Sequence, residues 1–180
     1  MSLKEATADL HEAAETTPFM KSVFAKQLPI SVWEEWTYWR FCFYSLIEDI
    51  CEEAGYLEDI QGIKRADGLF KDYLEMRGGD ATPSSNSKHA ALVSYENYLK
   101  QINPEQALAH MYVWHMGDLY GGQMIKRVIP APSHHALEFN DASTLKENLR
   151  AKLEDTDAMK HEARAAFYHA INLLKAVYHE

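Results

Sequence analysis

A histidine on the first predicted helix has the surroundings of a metal ligand. His11 is followed four residues later by Glu15, so the carboxylate lies one turn away on the same face. A histidine that binds a metal through one ring nitrogen commonly donates its other N–H to a carboxylate or carbonyl, which fixes the tautomer. Lys4 lies two turns before His11 on nearly the same stripe, about 10 Å away along the helix axis. This stripe could therefore hold a metal centre and an anionic group attached to it.

A second candidate site lies in the stretch 110–127, which has three glycines and one acid at its centre. Each glycine inside a helix costs about 1 kcal/mol relative to alanine, so three of them require compensation. The glycines could end one helix and open the next. However, no Pro, Asn or Ser accompanies them, and the apolar pattern resumes at once. We favour one long helix on which Gly117 and Gly121 share a face, so that a flat ligand can approach the backbone beside Asp118.

Two cations on a later predicted helix, Lys146 and Arg150, are also one turn apart. Like charges at this spacing are mildly destabilising without an anion to bind them. A charged pair on a helix is usually only a solvated face, and one histidine among nine is usually not a ligand. Each feature alone is therefore a weak indication of a site, but their combination is more specific.

The combined motifs resemble those of the haem oxygenase family, over nearly the whole chain. The matching residues are Leu3-Lys4-Glu5-Ala6-Thr7, Leu10-His11, Ala14-Glu15, Phe19-Met20, Tyr44, His110, Tyr112, Gly117-Asp118-Leu119, Gly121-Gly122-Gln123, Lys146, Arg150 and Phe167. The stretch 58–88 and the tract after Pro130 match less well.

The resemblance implies that haem b lies between a proximal helix, with His11 as the axial iron ligand, and a distal helix that contains the glycines. Haem would be both cofactor and substrate. Oxidation with O₂ and seven electrons would yield biliverdin IXα, CO and Fe²⁺, by opening at the α-meso carbon. The product would serve bilin synthesis, through a downstream bilin reductase, or the reaction would serve iron release.

The resemblance also implies roles for the other site residues. Asp118 would supply protons through ordered water during O₂ activation, within a hydrogen-bond network completed by Tyr44 and Tyr112. Cations would pair with the propionates and so select the meso carbon that faces Asp118. The implied haem-binding set is His11, Glu15, Lys4, Gly117, Gly121, Lys146, Arg150 and Phe167, and the catalytic set is Asp118, Gly117, Gly121, Tyr44 and Tyr112.

Two positions depart from the family pattern. Ala8 stands one turn before His11, where animal members have another lysine, so one propionate contact is missing. Tyr120 replaces a small residue of the glycine motif, and it either crowds the distal side or faces outward. The missing contact at Ala8 bears on which meso carbon is attacked.

Other functional classes remain as alternatives. A non-catalytic haem carrier or sensor on the same fold would bind haem without turnover, and the presence of Asp118 argues against it. A diiron enzyme needs Glu-x-x-His pairs, which the sequence lacks. A thiamin-degrading enzyme would use Cys42 or Cys51 as nucleophile, but both lie in an aromatic-rich helix that favours inert thiols.

Composition places these residues in an ordinary globular protein. The chain has 180 residues, of which 47% are hydrophobic, and this excludes a disordered chain. A net charge of −9 argues against nucleic acid as a partner. The longest aromatic-rich run, Trp36 to Ile47, contains Arg40 and is shorter than the roughly 20 residues that cross a bilayer. Because the N-terminus also lacks a secretory signal, we expect a cytoplasmic protein without a membrane anchor.

The apolar periodicity predicts an all-α fold, a single domain over residues 1–180 with seven or eight helices in a compact bundle. The resemblance implies that this bundle is of the haem oxygenase type. Ser31 is expected to cap the third helix, and Cys42 and Cys51 cannot bridge each other within it. The predicted helices cover 2–15, 19–26, 31–55, 65–76, 89–101, 144–154 and 156–178, with the glycine-bearing helix between Pro104 and Pro130.

The electron donor is inferred only by resemblance. Small soluble members of the family commonly use ferredoxin, which is itself acidic. An enzyme with a net charge of −9 would therefore need a local basic patch. The candidates for this patch are Lys4, Lys126, Arg127, Lys146 and Arg150.

Overall fold

The structure is a computed structural model that describes residues 1–179. Within them the chain is helical and contains no β-strand, as the periodicity predicts. It forms eight α-helices and two short 3₁₀ helices. The α-helices are α1 (Leu3–Glu15), α2 (Pro18–Phe24), α3 (Ile30–Glu53), α4 (Ala66–Met76), α5 (Ala90–Leu99), α6 (Pro104–Val128), α7 (Ala142–Lys152) and α8 (Asp157–Val177), and the 3₁₀ helices are Gln61–Ile63 and His135–Leu137.

Polar side chains satisfy the first backbone N–H groups of several helices. The Ser2 hydroxyl accepts a hydrogen bond from the third residue of α1, as predicted, and Thr17 and Thr156 cap α2 and α8 in the same way. Asn103 and Gln106 form a reciprocal capping box before α6, whose first position is a proline. These caps set the starts of the helices that carry the candidate site.

Two predicted helix starts are wrong. Helix α3 begins at Ile30 after Pro29, so Ser31 lies inside the first turn and does not cap it. Pro29 takes the cap position itself, with φ −59° and ψ 137°, and no side chain caps the first turn of α3. Helix α7 begins at Ala142, earlier than the predicted Thr144.

The hydrophobic core lies where α3, α5 and α6 meet. The ring centroid of Phe43 on α3 lies 4.6 Å from that of Trp114 on α6 and 5.2 Å from that of Tyr95 on α5. Trp36 lies two turns before Phe43 on the same face of α3, and its ring centroid is 5.9 Å from that of Trp114. Each such side chain contributes about 2–3 kcal/mol through burial, so this cluster fixes α6 relative to α3.

Helix α8 is the common support for the two helices of the candidate site. Both α1 and α6 pack along α8, and α7 packs against α6. Arg164 of α8 fixes α1 by donating hydrogen bonds to the Ala6 carbonyl and to the Asp9 carboxylate. The relative position of α1 and α6 therefore depends on their shared contact with α8.

Two further expectations concern membranes and cysteines. Within residues 1–179, no helix combines the length and the apolar composition required to span a bilayer. Cys42 and Cys51 are both free thiols, as their spacing on α3 predicts.

Candidate functional site

The glycines of α6 have two different roles. Helix α6 is continuous from Pro104 to Val128, so the interpretation that the glycines separate two helices is wrong. A Cβ atom added at Gly117 or Gly121 would meet nothing within 4 Å beyond the adjacent helix backbone, among the residues that the structure describes. A Cβ atom at Gly122 would lie 3.1 Å from the Leu137 side chain. Gly117 and Gly121 therefore border open space, whereas Gly122 allows close packing.

His11 presents its imidazole on the exposed side of α1. Its side chain is 62% exposed, and its Nδ1 atom lies 3.7 Å from the Glu15 carboxylate. The edge of the ring faces Phe167 of α8, with ring centroids 6.1 Å apart and planes at 80°. Phe167 itself is buried. The histidine thus has an acidic neighbour on one nitrogen and an aromatic contact that limits ring rotation.

Asp118 is buried between α6 and α3, next to the open glycine face. Its Oδ1 atom accepts a hydrogen bond from Arg40 Nη2 at 2.7 Å, and its Oδ2 atom accepts one from the Tyr44 hydroxyl at 2.7 Å. The side chains of Arg40 and Asp118 are only 5% and 11% exposed. The sequence predicts the Tyr44 partner by resemblance but gives no indication of Arg40 as the ion-pair partner.

Burial and charge determine the protonation states around Asp118. Burial alone lowers the pKa of Arg40, but the charge of Asp118 and the hydrogen bonds to Tyr44 and Asp118 together raise it more. The pKa therefore lies above its ordinary value and the guanidinium stays charged. Burial and the same carboxylate raise the pKa of Tyr44 well above its ordinary value. The phenol therefore keeps its proton and donates a hydrogen bond to Asp118. A cation and a neutral donor thus hold both carboxylate oxygens.

Tyr112 lies apart from this cluster. It is half-buried on α6 and faces α1, where the Thr7 hydroxyl lies beside its phenol. Burial raises the pKa of Tyr112, and the Thr7 hydroxyl opposes that change. Within residues 1–179 no direct hydrogen bond joins Tyr112 to Asp118. Tyr44 therefore contacts Asp118, whereas Tyr112 lies on the side of α6 that faces Thr7 of α1.

The predicted anion-binding cations lie on the exposed edges of α1 and α7. Lys4 is exposed on α1. Lys146 and Arg150 of α7 both contact Tyr120, which is 59% exposed and faces outward from α6. Of the two interpretations of Tyr120, outward orientation is therefore correct, and its ring reaches toward α7.

Two further buried pairs were not predicted from the sequence. His110 Nε2 lies 2.9 Å from Glu162, which also accepts a hydrogen bond from Tyr98. His115 Nε2 lies 2.8 Å from Glu48. Each pair joins residues 52 or 67 positions apart, so helical spacing could not indicate it. The pairs connect α6 to α8 and α3 and so stiffen the helix that carries the glycines.

Helices α1 and α6 together present groups that suit one kind of ligand. An exposed imidazole on α1 and a backbone-lined face on α6 are positioned by the same helix, α8. A carboxylate with two fixed hydrogen-bond donors adjoins that face. This arrangement suits a flat ligand that carries a metal and undergoes chemistry with proton transfer on one side.

The chain is similar in sequence and in fold to known proteins. A family model described as Heme oxygenase matches residues 1–176. Heme oxygenase 1 of Gallus gallus is 30% identical over 138 residues, which cover 70% of this chain and 45% of that protein. The solved heme oxygenase of Leptospira interrogans is 22% identical, with a TM-score of 0.79, and the match covers 97% of this chain and 98% of the other.

A second solved structure is heme oxygenase-1 of the cyanobacterium Synechocystis in complex with heme. It is 20% identical with a TM-score of 0.79, over 96% of this chain and 89% of the other. These structures share the predicted all-α fold. The chain spans less than half the length of the vertebrate relatives that it matches, 45% and 43% for two of them. The match of the family model over residues 1–176 shows that this chain belongs to the haem oxygenase family.

Proposed function

We propose that this chain is a haem oxygenase that binds haem b and converts it, with O₂ and seven electrons, to biliverdin IXα, CO and Fe²⁺. The observation that carries the proposal is the exposed imidazole of His11 on α1 together with the side-chain-free face of Gly117 and Gly121 on α6. Both helices pack on α8. The heme-bound Synechocystis relative supports the same ligand.

The residues of α1 and α6 suit a porphyrin, and we call the space proposed between them the haem cleft. Open space beside Gly117 and Gly121 lets a flat macrocycle lie against helix backbone, which larger residues would prevent. Bound haem supplies an iron atom for O₂ activation and a macrocycle that is itself oxidised. His11 would hold the iron of haem through its imidazole. We therefore propose that His11 lies on one side of the ring and the glycines on the other.

Glu15 and Phe167 would set the orientation of His11. The carboxylate lies 3.7 Å from Nδ1, which is close enough to favour a protonated Nδ1 and to leave Nε2 for the iron. Phe167 meets the ring edge from α8 and restricts its rotation. Together they hold one tautomer and one ring plane.

Asp118 would organise proton delivery on the distal side. Arg40 and Tyr44 each occupy one lone pair of its two oxygens, so the remaining lone pairs can accept hydrogen bonds from ordered water. The rigid carboxylate would align that water toward the O₂-binding position, and water would carry the proton. In this proposal Tyr112 contributes at the α1 side of the cleft, without a direct contact to Asp118.

Lys4, Lys146 and Arg150 would bind the propionate groups. Cations at the rim give charge-assisted hydrogen bonds to carboxylates and fix the rotation of the macrocycle about its normal. That rotation decides which meso carbon faces the O₂-binding position, and we propose the α-meso carbon. The product then has the IXα arrangement.

Electron delivery would use an acidic donor such as reduced ferredoxin, or an equivalent reductase. Lys126 and Arg127 lie in the last turn of α6, where the helix dipole also favours cations. We propose these residues, with the propionate-binding cations, as the docking patch. Charge reversal at Lys126 or Arg127 should weaken donor-coupled turnover and leave haem affinity unchanged; a bilin reductase would act on the released product.

The thiol-based alternative lacks a suitable nucleophile. Burial raises the pKa of both Cys42 and Cys51 to about 12, so thiolate is scarce at neutral pH. A non-catalytic haem carrier would need the porphyrin cleft but not the ordered carboxylate. The buried arrangement of Asp118 with Arg40 and Tyr44 therefore favours turnover.

A turnover assay tests this proposal. The purified chain is mixed with haemin, O₂ and a ferredoxin reducing system, and bile pigment and CO are measured. We expect both products in equal amounts, with Asp118→Ala as a haem-binding control that gives little pigment. Tight haemin binding without pigment or CO would support the carrier alternative instead.

A further inference from the structure

A chain of hydrogen bonds runs through the core from α6 to α8. Trp114 Nε1 of α6 donates to the Tyr95 hydroxyl of α5 at 2.9 Å. The Tyr95 oxygen lies 2.6 Å from His110 Nδ1, and His110 Nε2 lies 2.9 Å from the Glu162 carboxylate of α8. Tyr95 and His110 are both completely buried, at 0% exposure. These side chains thus form one continuous polar path inside an apolar core.

The donors and acceptors of this path have one consistent assignment. The Glu162 carboxylate accepts hydrogen bonds from Tyr98 and Gln106. Because a carboxylate can only accept, His110 Nε2 carries the hydrogen that points to Glu162, and His110 Nδ1 has a free lone pair. The Tyr95 hydroxyl therefore donates to His110 Nδ1, while its oxygen accepts from the indole. A neutral imidazole, which is a base, thus contacts a buried phenol.

This contact allows Tyr95 to be oxidised by one electron. A phenol that loses an electron becomes a strong acid, so in a dry site its proton must pass to a base in contact. Burial raises the pKa of Tyr95 far above its ordinary value, so the phenol does not ionise before it is oxidised. His110 Nδ1 can accept the proton across one hydrogen bond, and the Glu162 carboxylate stabilises the imidazolium that results. Electron and proton can therefore leave Tyr95 together.

Trp114 connects Tyr95 to the glycine face of α6. It lies one turn before Asp118 and two turns before Gly121, on the same side of the helix. The face at Gly121 borders open space, and Trp114 itself is buried. An indole can be oxidised by one electron, as a phenol can. An oxidising centre beside the glycines would therefore reach Tyr95 through one aromatic side chain.

His169 of α8 separates the ring of Tyr95 from solvent on the other side. The half-buried imidazole stacks on the Tyr95 ring, with ring centroids 4.7 Å apart and planes at 26°. A soluble one-electron donor, such as a thiol, could therefore approach Tyr95 to within the thickness of one ring. The oxidised residue can be reduced again without opening the core.

We propose that Tyr95 is a redox-active residue that carries oxidising equivalents away from the haem cleft when hydrogen peroxide reacts at bound haem. This inference rests on the proposed function. Tyr95 gives one electron through Trp114 and passes its proton to His110, which leaves a neutral tyrosyl radical beside an imidazolium. A soluble thiol then returns one electron, and the proton moves back from His110 to the phenol. Each hydrogen peroxide takes two electrons and two solvent protons to form two water molecules, so Tyr95 acts twice.

Electron paramagnetic resonance follows the radical directly. The haemin complex, verified by absorbance, is mixed with hydrogen peroxide in the absence of reductant and frozen at successive times. The unchanged chain, Tyr95→Phe and Tyr73→Phe are compared at equal haem loading. Tyr73 is the matched control, because it is also completely buried but donates to the Thr82 backbone carbonyl, which is not a base. Circular dichroism melting verifies the fold of both variants.

A second measurement needs no substitution. Electron–nuclear double resonance in H₂O and in D₂O detects exchangeable hydrogens that are bonded to the radical oxygen. A Tyr95 radical should have two of them, on His110 Nδ1 and on Trp114 Nε1. Tyr73 lies beside a backbone carbonyl, which has no hydrogen to donate. This measurement decides the assignment even if Tyr95→Phe does not fold.

We expect a tyrosyl radical with two exchangeable hydrogens in the unchanged chain and in Tyr73→Phe, and loss of most of this signal in Tyr95→Phe. Addition of a thiol before freezing should remove the signal. An equal radical yield in Tyr95→Phe would overturn the inference, as would a radical without these hydrogen bonds or the absence of any protein radical. Failure to bind haemin, seen in the absorbance before peroxide is added, would instead overturn the proposed function, and this inference with it.

Discussion

The Arg40 guanidinium of α3 lies 2.7 Å from the Asp118 carboxylate of α6, with both side chains almost completely buried. A charge in such a position is tolerated only when it is paired and hydrogen-bonded. Tyr44 completes the pairing by donating to the second carboxylate oxygen. The ion pair therefore joins the hydrophobic core to the open side of the proposed haem cleft.

Removing one partner of this pair should destabilise the fold. Arg40→Leu leaves the Asp118 carboxylate buried without its cation, so we expect the free energy of unfolding to fall by roughly 3–5 kcal/mol. The exposed Arg164–Asp9 pair has the same 2.7 Å separation and serves as the control. Asp9→Asn should cost far less, because the Asp9 side chain is 64% exposed and solvent screens that pair, while Arg164 keeps its hydrogen bond to Ala6. Urea denaturation measures both; equal losses would show that burial of the Arg40 pair is unimportant.

Asp118 and Tyr44 should affect turnover more than haem affinity. We expect Asp118→Ala to lower the rate of biliverdin formation by roughly a hundredfold, because aligned proton delivery is lost. Tyr44→Phe keeps the ring and removes one hydrogen bond, so its effect should be nearer tenfold. Single-turnover absorbance with haemin already bound separates the two quantities. Biliverdin formation at the normal rate in Asp118→Ala would exclude its role in proton delivery.

The site was predictable from the sequence where its residues share a helix face. His11 with Glu15 and Gly117 with Gly121 follow from helical spacing, and periodicity predicts all eight α-helices. Arg40 was not predictable in this way, because Asp118 lies 78 residues away and only packing of α3 on α6 brings them together. An arginine inside an aromatic-rich helix was the available signal, since such a charge needs a buried partner.

Local geometry limited the remaining predictions. Serine is a common cap, yet Pro29 takes the cap position of α3 and Ser31 lies inside the first turn. The direction of the Tyr120 side chain depends on α7, which lies far along the sequence. The different roles of Gly117 and Gly122 likewise depend on Leu137, which approaches only Gly122.

The two kinds of glycine should respond differently to substitution. Gly117→Leu adds a helix-favouring side chain in open space, so the free energy of unfolding should rise by about 0.5–1 kcal/mol. The same side chain would occupy the proposed cleft, so the Kd for haemin should rise at least about tenfold. Gly122→Ala is the control: it should strain the contact with Leu137 and leave haemin affinity nearly unchanged. Unchanged haemin binding by Gly117→Leu would place the ligand elsewhere.

Acid should destabilise the fold through the buried cluster around His169. Burial and the charge of His110 lower the pKa of His169 below its ordinary value of 6.5, although Glu162 opposes this. Burial alone raises the pKa of Glu162, but the hydrogen bonds from His110, Tyr98 and Gln106 and the charge of His110 together lower it more, to below its ordinary value of 4.5. In both cases the unfolded chain takes up its proton at higher pH than the folded chain.

We therefore expect the free energy of unfolding to fall as pH decreases below 6.5, through His169, and again below 4.5, through Glu162. Each proton contributes a slope of at most about 1.4 kcal/mol per pH unit. Urea midpoints between pH 4 and pH 8 measure this profile. His169→Gln should remove the decrease in unfolding free energy below pH 6.5. His161→Gln, at an exposed position of α8, should leave that decrease unchanged. A profile that does not change with pH in the unchanged chain would contradict both assignments.

The most direct test of the haem cleft is the spectrum of haemin bound to His11→Ala, recorded with and without added imidazole. If His11 is the axial ligand, the variant loses the spectrum of histidine-ligated haem, and free imidazole restores it by occupying the space beside Phe167. His161→Ala should keep the original spectrum. An unchanged histidine-haem spectrum in His11→Ala would show that another residue binds the iron and would contradict the placement of haem between α1 and α6.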